Sequence, residues 1–170
     1  MDSNIKTENP EPKKQLRALW NADFSALLGK SYILADSSDV KGVAVWMKAD
    51  FTGTDIIPFL VNGGIKLLPY IPRMLSYEAY ANKLKERHIQ EDTWYLYDLA
   101  VREDAQKTGV MSELMRPPLS YFDSIGADCY LETHDKNNVP RYEHYGFDLV
   151  ETGLVPNSDL KHYSMLRKAR

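Results

Sequence analysis

The chain has 170 residues, 44% hydrophobic and 26% charged, with 21 basic and 24 acidic side chains and a net charge of −3. That is ordinary globular composition, enough for one domain with a real core, and its slight acidity weighs against a nucleic-acid partner. Cys129 alone cannot form an intrachain disulfide, no apolar run approaches the roughly 20 residues of a membrane span, and MDSNIKTENPEPKK has no signal-like apolar core, so a cytoplasmic chain without membrane contact is expected.

Residues 1–12 are polar, carry Pro10 and Pro12, and read as a flexible lead-in to a domain over 13–170. Leu16, Leu19, Trp20, Phe24 and Leu27 then form a helical stripe that Gly29 stops. SYILAD (31–36) and GVAVWMKAD (42–50) flank the turn-rich SSDVKG and predict a β-hairpin. Residues 54–71 are apolar but interrupted by Pro58, Gly63, Gly64 and Pro69, so short helices are expected rather than one long helix. Pro72 suits the first residue of a helix through His88. WYLYDLAV (94–101) reads as a central strand. A loop and a helix over about 110–125 follow, with Pro117 and Pro118 expected to bend or shorten the helix. ADCYLET (127–133) is a strand, NVPRYEHYG (138–146) a short helix closed by Gly146, and FDLVET and HYSMLRK the last two strands. The order is α-β-β-α-α-β-α-β-α-β-β, a mixed α/β sheet in one domain.

The stretch AVREDAQKTGVMSELM leads from the central strand into a helix. The first amides of a helix have no internal partner, and its dipole places partial positive charge there. Gly109 permits a close ligand approach and Lys107 adds a cation. Taken locally, a plain strand-to-helix turn is the better reading. Neither G-x-x-x-x-G-K-[ST] nor G-x-G-x-x-G occurs, which removes the common nucleotide and dinucleotide readings.

LAVREDAQKTGV followed by CYLET and NVPRYEHYGF resembles the GNAT superfamily of acyl-CoA-dependent N-acetyltransferases. Leu99 and Val101 match the family's strand end, Gln106 and Gly109 its loop, and Tyr142, Gly146 and Phe147 its closing motif. The resemblance spans roughly 94–168 and is looser over the hairpin. It implies a mixed sheet with flanking helices and a splayed central strand pair. The family's usual first strand and helix are absent from the lead-in, or another chain takes their role. It further implies acetyl-CoA as cosubstrate, no metal, and attack by a primary amine of a small molecule or an exposed amine. Amides of Lys107, Thr108, Gly109, Val110, Met111 and Ser112 would bind the pyrophosphate. An amide at Leu99 or Ala100 would polarise the thioester carbonyl, beside Val101. Asn138 would touch the cofactor, and Tyr142 would protonate the departing thiolate.

Two departures stand out. Met111 replaces a small residue of the loop pattern, and Tyr95 stands where some members carry a glutamate base. Asp98 on the same strand is the expected substitute, and Glu132 could contact the amine or sit as a solvated strand-end charge. The four histidines are scattered and form no zinc pattern; His134 and His144 could line an acceptor pocket. Cys129 reads as packing, Tyr70, Tyr77 and Tyr80 as helix packing, and KLKERH (83–88) as a solvated face. A homodimer is an expectation from an uncovered sheet edge. The competing reading is a GNAT-fold module that binds CoA or a partner without catalysis.

Overall fold

The computed structural model describes residues 10–50, 56–62 and 64–170. Residues 1–9 of the expected lead-in therefore lie outside the described residues, and Pro10 opens the first helix, α1 (Pro10–Leu27). The chain divides into two compact units, one comprising Met1–Leu28 with Gly53–Met74, the other Gly29–Thr52 with Leu75–Arg170.

The first unit is helical. α1 is joined by α2 (Ile56–Val61) and a 3-10 helix (Gly64–Tyr70). Ala22, Ala26, Phe59 and Leu67 form its small core, with Leu19, Leu60 and Met74 packed against it. Gly64 sits where a Cβ would come within 2.5 Å of the Phe59 ring. The interrupted apolar segment is thus two short helices, as its prolines and glycines predict.

The second unit is a six-stranded sheet in the order β1-β2-β3-β4-β6-β5. β1 (Tyr32–Ala35) and β2 (Gly42–Lys48) form the predicted hairpin. Its turn is closed by Asp36 Oδ1, which accepts from the amides of Lys41 and Gly42 at 2.7 and 2.9 Å. α3 (Ile71–Lys85), which belongs to this unit from Leu75 onward, precedes β3 (Trp94–Val101), and α4 (Val110–Ser124) leads to β4 (Cys129–Thr133). α5 (Val139–Glu143), β5 (Asp148–Leu154) and β6 (Lys161–Arg167) complete the unit. All pairings are antiparallel except β3 with β4.

One face of the sheet packs on α4. Trp46 and Trp94 meet Phe122 at ring-centroid distances of 5.1 and 4.6 Å. Leu96, Leu114, Met115, Leu131 and Met165 complete this core. α4 runs unbroken through Pro117 and Pro118, so the expected shortening does not occur. Proline there removes two helix bonds. Burial of Leu114, Met115, Pro118, Leu119 and Phe122 along one side holds the helix regardless. Arg167 ties β6 to the same helix: its two terminal nitrogens each donate to an Asp123 oxygen at 2.7 Å, and Nε donates to the Tyr145 carbonyl at 3.0 Å.

Candidate active site

β3 and β4 are hydrogen-bonded neighbours only where Trp94–Leu96 face Cys129–Leu131. Beyond that point β3 continues to Val101 against β2 alone, and β4 continues to Thr133 against β6 alone. The two central strands therefore part, leaving a gap edged by backbone groups without strand partners. A bulge accompanies the parting: Val45 faces Asp98 and Trp46 faces Leu96, so Tyr97 is an extra residue in β3. Bulges bend a strand and re-aim its side chains.

The direction of the β3 amides follows from its other edge. The Arg102 amide donates to the Lys41 carbonyl at 2.7 Å, and the Ala100 carbonyl lies against Gly42. Both belong to the β2 side. Peptide groups alternate along a strand, so the amides of Leu99 and Val101 face the gap. Of the two amides expected to polarise a thioester, that of Leu99 faces the gap and that of Ala100 is turned towards β2.

The loop below the gap is tightly wound. Residues Glu103–Ala105 form a 3-10 turn, and Arg102 Nε donates to Asp104 Oδ1 at 2.6 Å. Thr108 Oγ1 donates to the Ala105 carbonyl at 2.7 Å. Lys107 has φ +64° and Gly109, the N-cap of α4, has φ +101°, both left-handed. No backbone acceptor is recorded for the amides of Lys107, Thr108, Gly109, Val110 or Met111 among the described residues. The Ser112 amide, in contrast, donates to the Gly109 carbonyl at 2.8 Å, and its hydroxyl meets Tyr145 Oη at 2.8 Å. Of the amides expected to bind a pyrophosphate, those of 107–111 are thus left without a backbone acceptor, and Gln106 before them is exposed. Met111 does not crowd these amides: its side chain packs against the main core.

Tyr142 stands on α5, nearly buried in the main core and edge-on to Phe147 at 6.2 Å. Burial pushes its phenol up to about 12, and the Asp98 charge adds to the rise. The hydroxyl therefore keeps its proton at any physiological pH. Asp98 is partly buried on β3. Asn138, at the start of α5, is already engaged: Nδ2 donates to Thr133 Oγ1 at 3.2 Å, and Oδ1 accepts from Arg141 at 3.1 Å.

The opposite face of the sheet holds a cluster that residue spacing did not reveal. Glu132, on β4 just past the point where the strands part, is not a solvated end charge: its side chain is 8% exposed. Tyr95 Oη donates to Oε2 at 3.4 Å, and Tyr130 Oη lies 3.2 Å from Oε1. Burial lifts the carboxyl to about 7, against the pull of the Lys85 ammonium and the two hydroxyls. Lys85 itself is buried on α3 with Nζ 4.9 Å from the centre of the Tyr95 ring, so the KLKERH run is only in part a solvated face. Arg87 and His88 of the same run pair with Glu151 at 2.6 and 2.8 Å. Tyr77 Oη is 3.2 Å from His134 Nε2, and the His134 and His162 rings are 5.4 Å apart. The histidines separated in sequence are thus paired in space, because the end of β4 is hydrogen-bonded to the start of β6. Among the described residues no group of three or more His, Cys, Asp or Glu is placed to hold a metal, and no helix is long and apolar enough to cross a membrane. Cys129 is fully buried, and burial pushes its thiol up to about 12, as a packing residue requires.

The sequence profile of the acetyltransferase (GNAT) family matches residues 74–147. An uncharacterized N-acetyltransferase of Schizosaccharomyces pombe is 37% identical over 128 residues, which cover 68% of this chain and 50% of that protein. The chain thus spans about half the length of that curated relative. In three dimensions the chain is similar to a histone acetyltransferase HPA2 and related acetyltransferase structure from Corynebacterium glutamicum, with TM-score 0.60 and 18% identity over 96% of this chain and 78% of the other. It is also similar to the ribosomal-protein-S18-alanine N-acetyltransferase of Escherichia coli, with TM-score 0.51 and 12% identity over 92% and 88% of the two chains. At these identities the structural likeness speaks for the fold.

Proposed function

The chain belongs to the GNAT acetyltransferase family, and from that premise we propose that it moves an acetyl group from acetyl-CoA to a primary amine of a small molecule or an exposed amine by direct attack. The observation that carries this reading is a buried carboxyl, Glu132, one residue past the point where the parallel strands β3 and β4 part.

The parts divide the chemistry as follows. The pyrophosphate sits on the amides of 107–111, where the α4 dipole and Lys107 favour negative charge. The pantetheine arm lies in the gap and uses the peptide groups that β4 leaves unpaired. The Leu99 amide donates to the thioester carbonyl, whose oxygen gains charge as the amine attacks. Glu132, lifted to about 7, is matched to taking the amine proton near neutral pH. Tyr142, protonated throughout, donates a hydrogen bond to the departing thiolate. Full transfer would run uphill from a phenol at about 12 to a thiol of ordinary pKa near 8.5. Glu132 takes the base role first assigned to Asp98, because its side chain is 8% exposed and held by the hydroxyls of Tyr95 and Tyr130.

Thiol release from acetyl-CoA with a panel of amines tests the assignment. Glu132→Gln should lower kcat by about 10²–10⁴-fold with acetyl-CoA binding unchanged by calorimetry, and Asp98→Asn should lower it far less. The reverse ranking would move the base to Asp98. Turnover of none of the amines by a chain that binds acetyl-CoA would leave a binding module.

A further inference from the structure

The helical first unit carries aliphatic side chains that its own core does not cover. Phe59 of α2 and Leu67 of the 3-10 helix turn inward and share a core with Ala22 and Ala26 of α1. Their neighbours turn outward: Ile57 and Val61 are 73% and 75% exposed, and Ile65 and Leu68 are 61% and 53% exposed. Ile57 and Val61 stand four residues apart on α2 and so share a face. Ile65 and Leu68, three apart on the 3-10 helix, are eclipsed and do likewise. Exposed aliphatics scattered singly are ordinary, whereas four on two adjoining short helices mark a contact surface. The charge beside them has one sign. Residues 56–74 hold Lys66 and Arg73 and no acidic residue, in a chain whose net charge is −3. Lys66 and Asn62 also line an open cavity of about 230 Å³ with Lys14, Arg17, Ala18 and Asn21 of α1. Three cations around one cavity suit an anionic group.

We propose that this face of the first unit docks on an anionic membrane surface. Ile57, Val61, Ile65 and Leu68 enter the boundary between headgroups and acyl chains, and the cavity of Lys14, Arg17 and Lys66 takes a phospholipid headgroup. Apolar side chains flanked by lysine and arginine, with no acidic residue among them, are the pattern of a helix that lies in that boundary. Lys66 lies between Ile65 and Leu67, where its stem can rest on apolar surface while the ammonium reaches the headgroups. Tyr70, half-exposed at the end of the 3-10 helix, has the apolar body and polar tip that suit headgroup level. A protein partner would favour aromatic and arginine anchors seated in pockets, whereas here branched aliphatics project from short helices beside a cationic cavity. The contact is peripheral, since no described helix is long and apolar enough to cross a membrane. The lack of a spanning run, from which no membrane contact is expected, does not bear on helices that lie at the surface.

The test is co-sedimentation of the full chain with phosphatidylcholine vesicles, with and without phosphatidylserine. The chain should bind the serine-lipid vesicles, bind pure phosphatidylcholine far more weakly, and release as salt is raised. Lys66→Gln should weaken binding about fivefold. Ile57→Ser combined with Val61→Ser should weaken it about tenfold or more, with thermal unfolding unchanged because both side chains are already exposed. Binding to neither vesicle, equal binding to both, or full binding by the double serine variant would overturn the proposal. A dimer in lipid-free solution that the double variant dissociates would give the face to a second copy of the chain, and would overturn it too. Every readout is lipid binding or assembly, so the outcome is independent of whether the chain transfers acetyl groups.

Discussion

At the scale of single residues, Glu132 is a carboxyl held in an enclosure that opposes its charge. Its folded pKa, about 7, lies above the ordinary 4.5. The folded state therefore binds the proton more tightly than the unfolded chain, and the stability this gives is present below pH 4.5 and lost as pH rises through 7. Glu132→Gln keeps the shape and removes the charge. It should raise stability by about 1–3 kcal/mol at pH 8 and change it little at pH 4.5, measured by urea unfolding at the two pH values. His162 runs the other way, since its depressed pKa withdraws stability as pH falls from 6.5 through 4. The sequence showed Glu132 as a polar residue in an apolar strand, CYLET, but not its burial. Tyr95 of β3 and the Lys85 ammonium of α3 stand beside it, a placement that no local pattern announces. The hydrogen bond from Tyr142 to the departing thiolate is testable in the same way: Tyr142→Phe should lower kcat by roughly tenfold or more, read by thiol release, with the fold intact because only a hydroxyl leaves the core.

At the scale of elements, the site depends on how β2 meets the start of α4. A Cβ at Gly42 would fall 2.7 Å from Val110 Cγ1 and 2.8 Å from Leu114 Cδ1. Gly42→Ala should therefore push α4 away from the sheet, destabilise the chain by about 1–3 kcal/mol, and weaken acetyl-CoA binding because the 107–111 amides move with the helix. Gly109 is a different case. Nothing lies within 4 Å of its missing Cβ, but its φ is +101°, so Gly109→Ala strains the backbone without a clash and should cost about 1–2 kcal/mol. Thermal unfolding and calorimetry on the two variants separate crowding from strain. The loop's glycine and the strand before it were legible from spacing, and so was the turn into α4. The direction of each amide was not: it follows from the pairing of β3 with β2, a non-local fact. The unbroken α4 was also hidden, since proline's local penalty is opposed by core contacts that only the folded sheet supplies.

At the scale of the whole molecule, the element order and the parting of the central strands were both anticipated, the first from periodicity and breakers, the second from the resemblance of LAV, QKTG and YEHYGF to a known pattern. The division into a helical unit and a sheet unit was not anticipated, because Pro58, Gly63 and Gly64 mark only where helices stop. Bound acetyl-CoA should stabilise the chain by mass action, by about 2.7 kcal/mol at a hundredfold excess over Kd. The proposed site lies wholly in the sheet unit. Variants confined to the first unit's core, such as Phe59→Ala, should therefore lower stability and leave acetyl-CoA affinity unchanged, as read by urea unfolding and calorimetry.

The central claim is that Glu132, one residue past the point where β3 and β4 part, accepts the proton of an amine that attacks acetyl-CoA directly. The pH dependence of kcat/KM for thiol release, wild type beside Glu132→Gln, tests it most directly. The account predicts an acidic limb near pH 7 in the wild type, absent from a variant that is at least a hundredfold slower and still binds acetyl-CoA. An unchanged limb and rate in Glu132→Gln would contradict it.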